Sequence, residues 1–272
     1  MSTDELIAQL EFLRDIGVRH LEVPRNVQAP EPAPPATVPR AVPAEVPADA
    51  PLETLAAILK PGSPGPSVPV RRAESDAGDS VTEKIDMTSS ETLDAIRQDL
   101  GDCQRCHLAG GRTNIVYGAG NPRARLVFVG EAPGSEEDRQ GLPFVGRAGQ
   151  LLTKIIESIG LTRDDVYICN VLKCRPPGNR NPEPAEVEAC SPFLKRQLQS
   201  IHPDIVCCLG TFAAQTVLGM KVPISKLRGE FHQIDGIRYI ATFHPAYLLR
   251  NPEKKREVWD DMKKIRAELT AP

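Results

Sequence analysis

Seven cysteines carry the widest chemical repertoire in this chain, and four of them are spaced as ligands. Cys103 and Cys106 form a C-x2-C pair, while Cys174 and Cys190 stand further on with fifteen residues between them. Four thiolates can close one tetrahedral site, and such a set suits either structural zinc or an iron–sulfur cluster; spacing alone does not choose. Cys103 and Cys106 sit among Asp102, Gln104, Arg105 and His107, a polar setting that favours ligation over burial. Cys169, Cys207 and Cys208 lie in apolar runs and read as small core residues, and His107 reads as a surface residue.

The second chemical stretch is LVFVGEAPGSEEDRQGLPFVGRAG, residues 126–149. Its apolar run Leu126–Val129 predicts a strand buried on both faces, delivered into the Gly130-Glu131-Ala132-Pro133-Gly134 turn. Glycines there leave backbone N–H groups open and allow a ligand close approach. Beyond this strand the pattern repeats. Helices are expected over 148–158, 184–200, 212–218 and 252–269, with strands over 166–171, 205–209 and 239–243 and a hairpin at Asp235-Gly236. Alternating β and α elements predict an α/β fold, a parallel sheet with helices on both faces. Ligands in such sheets bind at the carboxyl ends of the strands. Glu131, Asn170 and His244 each fall at a strand end and should converge on one edge, where Gly210-Thr211 opens a helix N-terminus.

Composition separates this region from the rest. Thirteen of the 26 prolines lie between Pro24 and Pro69, and no Phe, Tyr or Trp occurs from Leu13 to Val116, so the early chain lacks the side chains of a core. Residues 1–87 hold 8 basic against 14 acidic side chains, whereas 88–272 hold 25 against 22, so a net charge of −3 conceals a mildly basic domain. We therefore divide the chain into a short amphipathic helix within 1–22 (Leu6, Leu10, Leu13, Ile16), a Pro/Ala-rich disordered linker over 23–90 interrupted by LETLAAILK at 52–60, and a domain over 91–272 that begins with a helix ending at Gly101. The N-terminal helix either docks on its own domain or serves as a tethered peptide for a protein partner. No run approaches a membrane span and no export signal is evident, so a cytoplasmic monomer with reduced thiols and no membrane association is expected.

The segment from Cys103 to Leu269 resembles the family 4 uracil-DNA glycosylases, the iron–sulfur type. The residues that carry the likeness are the C-x2-C pair, GEAPGSEEDRQGLPFVGRAGQLL (130–152), NVLKCRPPGNRNPEPAEVEAC (170–190) and HPAYLLRNP (244–252), in that order. The resemblance implies a three-layer αβα sandwich around a four-stranded parallel sheet, a [4Fe–4S] cluster on Cys103, Cys106, Cys174 and Cys190, and removal of uracil from uracil-containing DNA. It says nothing about the first 90 residues.

Chemistry assigns roles beside the likeness. A glycosylase must extrude its nucleotide, read the Watson–Crick edge and hold the base against a ring. Phe144 is the expected ring, and the Asn170 amide suits O4 and N3–H of uracil. His244 is the donor expected at uracil O2, where negative charge develops, with backbone N–H groups around Gly130, Glu131 and Ala132 assisting. Glu136 resembles the family residue that lines the base pocket near C5, which implies a crowding that rejects thymine. Many uracil-DNA glycosylases outside family 4 carry an Asp at the position of Ala132, so Glu131 is the nearest substitute here for activating water. Leu248 is the expected wedge into the DNA stack and Arg250 a phosphate contact, with Lys173, Arg175 and Arg180 suggesting a second backbone contact. The competing reading is a non-catalytic DNA-binding accessory protein, tied for example to a polymerase. A covalently trapped subgroup, marked by a histidine in a basic inserted loop, is disfavoured by RPPGNRNPEP after Cys174.

Overall fold

The computed structural model describes residues 91–271 and, before them, Ile7, Leu10 and Arg14. Those three are helical and exposed; the rest of the expected 1–22 helix, the 23–90 linker and its 52–60 stretch lie outside the described residues. Among the described residues no helix is long and apolar enough to cross a membrane.

In chain order the elements are α1 (Leu93–Leu100), β1 (Ala119–Gly120), β2 (Leu126–Gly130), α2 (Ser135–Gln140), α3 (Arg147–Ser158), β3 (Tyr167–Asn170), α4 (Pro184–Ile201), β4 (Ile205–Leu209), α5 (Thr211–Leu218), α6 (Ile224–Leu227), β5 (Phe231–Ile234), β6 (Ile237–Thr242), α7 (Pro245–Arg250) and α8 (Lys255–Thr270). The strands form one sheet in the order β1-β3-β2-β4-β6-β5. Its four central strands run parallel, as expected from the βα repeat, and β1 and β5 add antiparallel edges. The sheet therefore has six strands rather than four. Of the two extra strands, β1 is two residues long and leaves no readable signal, whereas β5, the half-polar FHQI, is the first arm of the hairpin expected at Asp235-Gly236. The β5–β6 hairpin turns at Asp235 and Gly236, both with positive φ (49° and 81°), the twist that an Asp-Gly pair supplies.

Period-two alternation sorts the sheet's side chains into two layers. Leu126, Phe128, Ile205 and Cys207 face a core with Leu152, Ile155 and Ile156 of α3 and Trp259, Met262 and Ile265 of α8. Val127, Val129, Val206 and Cys208 face the other side, against Leu194, Leu198 and Ile201 of α4 and Ala213 and Ala214 of α5. Burial on both faces explains why β2 and β4 are continuous apolar runs. The register that follows from this packing sets Gly130 beside Asn170 and Leu209 beside Thr242, so the loops leaving β2, β3, β4 and β6 open along one edge.

Candidate functional site

That edge carries a cavity of ≈ 440 Å³, walled by the turn after β2, Phe144, Asn170, the loop after Cys174, and the start of α7. Glu131, Asn170 and His244 all line it, so the three strand-end residues meet as the topology requires.

Phe144 is held there against its own backbone preference. Its φ of 54° is left-handed, a conformation costing a bulky residue roughly 1–3 kcal/mol, so its surroundings must impose it. Arg163 donates to the carbonyls of Pro143 (2.8 Å) and Phe144 (3.2 Å). Glu137 accepts from the backbone N–H groups of Val145 and Gly146, both at 2.9 Å. The backbone of Phe144 also lies on Gly149, where a Cβ would collide with the Phe144 carbonyl. The result presents the ring to the cavity: a Cβ on Gly130 would fall 2.6 Å from Phe144 Cζ and would overlap Asn170 Oδ1. Glycine at 130 is thus the condition for bringing ring and amide together.

His244 caps α7, its Nδ1 accepting the N–H of Ala246 at 3.1 Å. An acceptor at Nδ1 leaves the proton of the neutral ring on Nε2. Burial lowers the pKa to about 4, with the positive charge of Arg250 lowering it and Glu137 partly opposing. The imidazole is therefore neutral in the ordinary pH range and offers an Nε2–H donor. Its ring centroid is 5.6 Å from that of Phe144, with the planes tilted by 35°.

Asn170 closes β3 and is 1% exposed, and its Oδ1 has no hydrogen-bond partner. An unpaired buried acceptor costs roughly 1–3 kcal/mol, so the site is built for a donor that the chain itself does not supply. Glu131 is partly buried beside it, and burial raises its carboxyl pKa above the ordinary value.

Three expectations need correction. Glu136 is exposed on α2, where it pairs with Arg139, and it is Glu137 that lines the cavity. Leu248, the expected wedge, is wholly buried in the core with α3 and α8, whereas its neighbour Leu249 is 37% exposed. Lys173 is 1% exposed and cannot meet a phosphate. Arg250 is exposed at the cavity rim, where a phosphate contact is open to it, and Arg180 lines the cavity while pairing with Glu183 and Glu186.

The four spaced cysteines gather beyond the wall formed by the loop after Cys174. Burial pushes the Cys174 thiol up to about 11, and the charges of Cys190 and Cys106 add to this. Cys190 is likewise raised by burial, with Cys106 and Cys103 contributing. N–H donors already face the sulfurs: Arg105 on Cys103 and Arg112 on Cys174, both at 3.6 Å, and the Lys173 backbone on Cys190 at 3.3 Å. Such donors stabilise thiolate ligands. Among the described residues, only His107, Glu183 and Glu186 bring three potential ligand atoms within 4.8 Å of one another. The His107 group is no rival site, because the Arg180 guanidinium already binds both oxygens of Glu186 (3.0 and 2.5 Å) and reaches His107 Nε2 at 3.2 Å.

Residues 117–263 match the family model of the uracil DNA glycosylase superfamily. The type-4 uracil-DNA glycosylase of Archaeoglobus fulgidus is 48% identical over 183 residues, covering 64% of this chain and 92% of that protein. The type-4 enzyme of Thermotoga maritima is 47% identical over 184 residues, covering 66% and 96%. The type-5 uracil-DNA glycosylase of Pyrobaculum aerophilum is more distant, 36% identical over 147 residues that cover 47% and 64%.

Proposed function

Because the chain belongs to the uracil-DNA glycosylase superfamily, with type-4 enzymes among its relatives, we propose that it flips uracil out of DNA and hydrolyses the N-glycosidic bond, leaving an abasic site. The observation that carries this reading to individual residues is the unpaired Asn170 Oδ1 at the cavity wall. Uracil N3–H supplies the missing donor and O4 accepts from the other half of the amide. The Phe144 ring stacks on the base. As the glycosidic bond lengthens, charge accumulates on O2, and the His244 Nε2–H, preset by the Nδ1 bond to Ala246, stabilises it. Glu131 is the carboxylate we assign to orienting water, and burial raises its pKa from the ordinary value. Glu137 takes the place at the cavity first expected of Glu136. Arg250 at the rim meets a phosphate, and Leu249 fills the space left by the flipped base.

The test is release of free uracil from uracil-containing oligonucleotides by the purified full-length chain. Release with alkali-sensitive strands supports the glycosylase; tight DNA binding with every glycosidic bond intact would support the accessory-protein reading instead.

We take Cys103, Cys106, Cys174 and Cys190 as the ligands of a [4Fe–4S] cluster, since their thiols lie close enough to act on one another and N–H donors that would stabilise thiolates face three of them. When bound, the cluster cross-links α4, the loop after β3 and the segment after α1, a structural role that holds one wall of the cavity. The purified protein is expected to be brown with about four irons per chain, and Cys190→Ser to lose most of that iron together with thermal stability. Iron assay and melting temperature check this; zinc in place of iron would refute the cluster.

The DNA-binding and glycosidic chemistry is assigned wholly to 91–272, so deleting residues 1–88 should change the uracil release rate by less than about threefold. A large loss would mean that the arm, proposed as a docking peptide for a protein partner, belongs to the active domain.

A further inference from the structure

Lys173 is among the largest fully buried side chains of the protein, and its bonds tie two parts of the site to each other. Its backbone N–H donates to Cys190 Sγ at 3.3 Å, and its carbonyl accepts from the N–H of Val116 at 2.8 Å. From this fixed backbone the side chain turns back along β3, so that Nζ donates to the backbone carbonyl of Asn170 at 2.8 Å and to Gln197 Oε1 at 2.5 Å. Gln197 is itself held, its amide donating to the Tyr117 carbonyl at 3.0 Å and to the Tyr167 hydroxyl at 3.3 Å. Cys190 and Gln197 both lie on α4, seven residues and two turns apart, so one helix face grips Lys173 at both ends.

A buried amine is costly unless every N–H it must satisfy finds an acceptor, and burial lowers the pKa of this one. The two bonds require two N–H groups, which the amine and the ammonium both have, so the arrangement does not depend on protonation. Leucine or methionine would fill the same space without that demand. What the polar chain adds is a clamp on the Asn170 carbonyl, the point where β3 leaves the sheet and its last side chain enters the cavity.

From this we infer that Lys173 is a positioning residue for uracil recognition: it locks the Asn170 backbone to α4 and so aims the Asn170 amide, coupling base reading to the helix that carries Cys190. This rests on the glycosylase reading above and deepens it. Lys173 touches no part of the substrate; its effect runs through Asn170 alone.

The experiment is a double-mutant cycle on the full-length, iron-loaded chain with Lys173→Met and Asn170→Ala. Single-turnover uracil release at saturating DNA, KM, affinity for DNA bearing an abasic analogue, and iron content are read for each variant. Lys173→Met is expected to slow single-turnover release by about tenfold or more, with KM and abasic-analogue affinity within about threefold of wild type and the iron retained. In the Asn170→Ala background the same substitution should cost less than about threefold, because the amide that it aims is gone. Losses that multiply in the double variant, or an unchanged rate in Lys173→Met, overturn the inference, as does a Lys173→Met protein that folds but lacks iron. If Lys173→Met does not fold, Gln197→Met, which removes the far anchor of Nζ together with the amide's bonds to Tyr117 and Tyr167, takes its place in the cycle: a loss that vanishes in the Asn170→Ala background supports the inference, and one that multiplies there overturns it. A wild-type chain that releases no uracil overturns the functional reading, and this inference with it; an active wild type with multiplying losses overturns this inference alone.

Discussion

Replacing His244 with alanine should lower single-turnover uracil release by about 10²–10³-fold while leaving affinity for abasic-analogue DNA nearly unchanged. The expectation comes from the fixed proton. Nδ1 is committed to the Ala246 N–H at 3.1 Å, so the neutral ring can only donate from Nε2, and the donor is in place before charge develops on the leaving base. No reorganisation is then needed at the transition state, which is why a single such donor is worth roughly 3–4 kcal/mol. The pH dependence follows with a definite sign. The folded-state pKa of about 4 lies below the ordinary histidine value, so the ring is neutral above that pH and gains a proton only as pH falls through it. The unfolded chain takes up that proton earlier, below about 6.5, so this residue withdraws stability as pH drops from there. In kcat, histidine titration should therefore be absent between pH 5 and 8. An acid limb in that window that disappears in Glu131→Gln belongs to the buried carboxylate, whose pKa is raised. A limb near pH 6.5 that persists there and disappears in His244→Gln would mean that the imidazole works from its charged form.

The residues that carry this argument are legible in the sequence because topology delivers them. Asn170 and His244 follow strands with clear apolar runs, and the carboxyl ends of parallel strands share an edge whatever the intervening chain does. The pairing of Gly130 with Phe144 and Asn170 is visible there only as a motif, since the closeness that forbids a side chain at 130 is tertiary. The departures fall in short helices. α2 is six residues, SEEDRQ, with no apolar position to set its phase, so nothing in the sequence distinguishes the cavity-lining Glu137 from the exposed Glu136. α7 is equally short, and its adjacent leucines differ only in which meets α3 and which meets solvent. Lys173 departs for another reason. A lysine beside arginines and a cysteine ligand suggests a charged surface, and only the acceptors on Asn170 and Gln197, 24 residues away in the second case, make its burial tolerable.

Asn170 is the second residue whose loss should be severe, and its variants separate two things that the wild type combines. Asn170→Ala removes the amide and leaves a small cavity beside Gly130. Two hydrogen bonds to the flipped base are lost, and release of uracil should fall by about 10²–10³-fold at saturating DNA. Asn170→Asp keeps the shape but changes the code. An ionised carboxylate has no donor for uracil O4, whereas the neutral acid keeps one donor and one acceptor for the base, so uracil release should fall, but less far than in the alanine variant. Cytosine presents the reverse pattern, a donor at N4 and an acceptor at N3. Burial of position 170 at 1% exposure favours the neutral acid, whose O–H can face N3 while its carbonyl accepts from N4. The uracil-over-cytosine preference of Asn170→Asp should consequently shrink relative to both wild type and Asn170→Ala, measured as free base released from matched oligonucleotides. Equal preference in all three proteins would show that the amide does not read the base, and would leave shape at Phe144 and Gly130 as the source of selectivity.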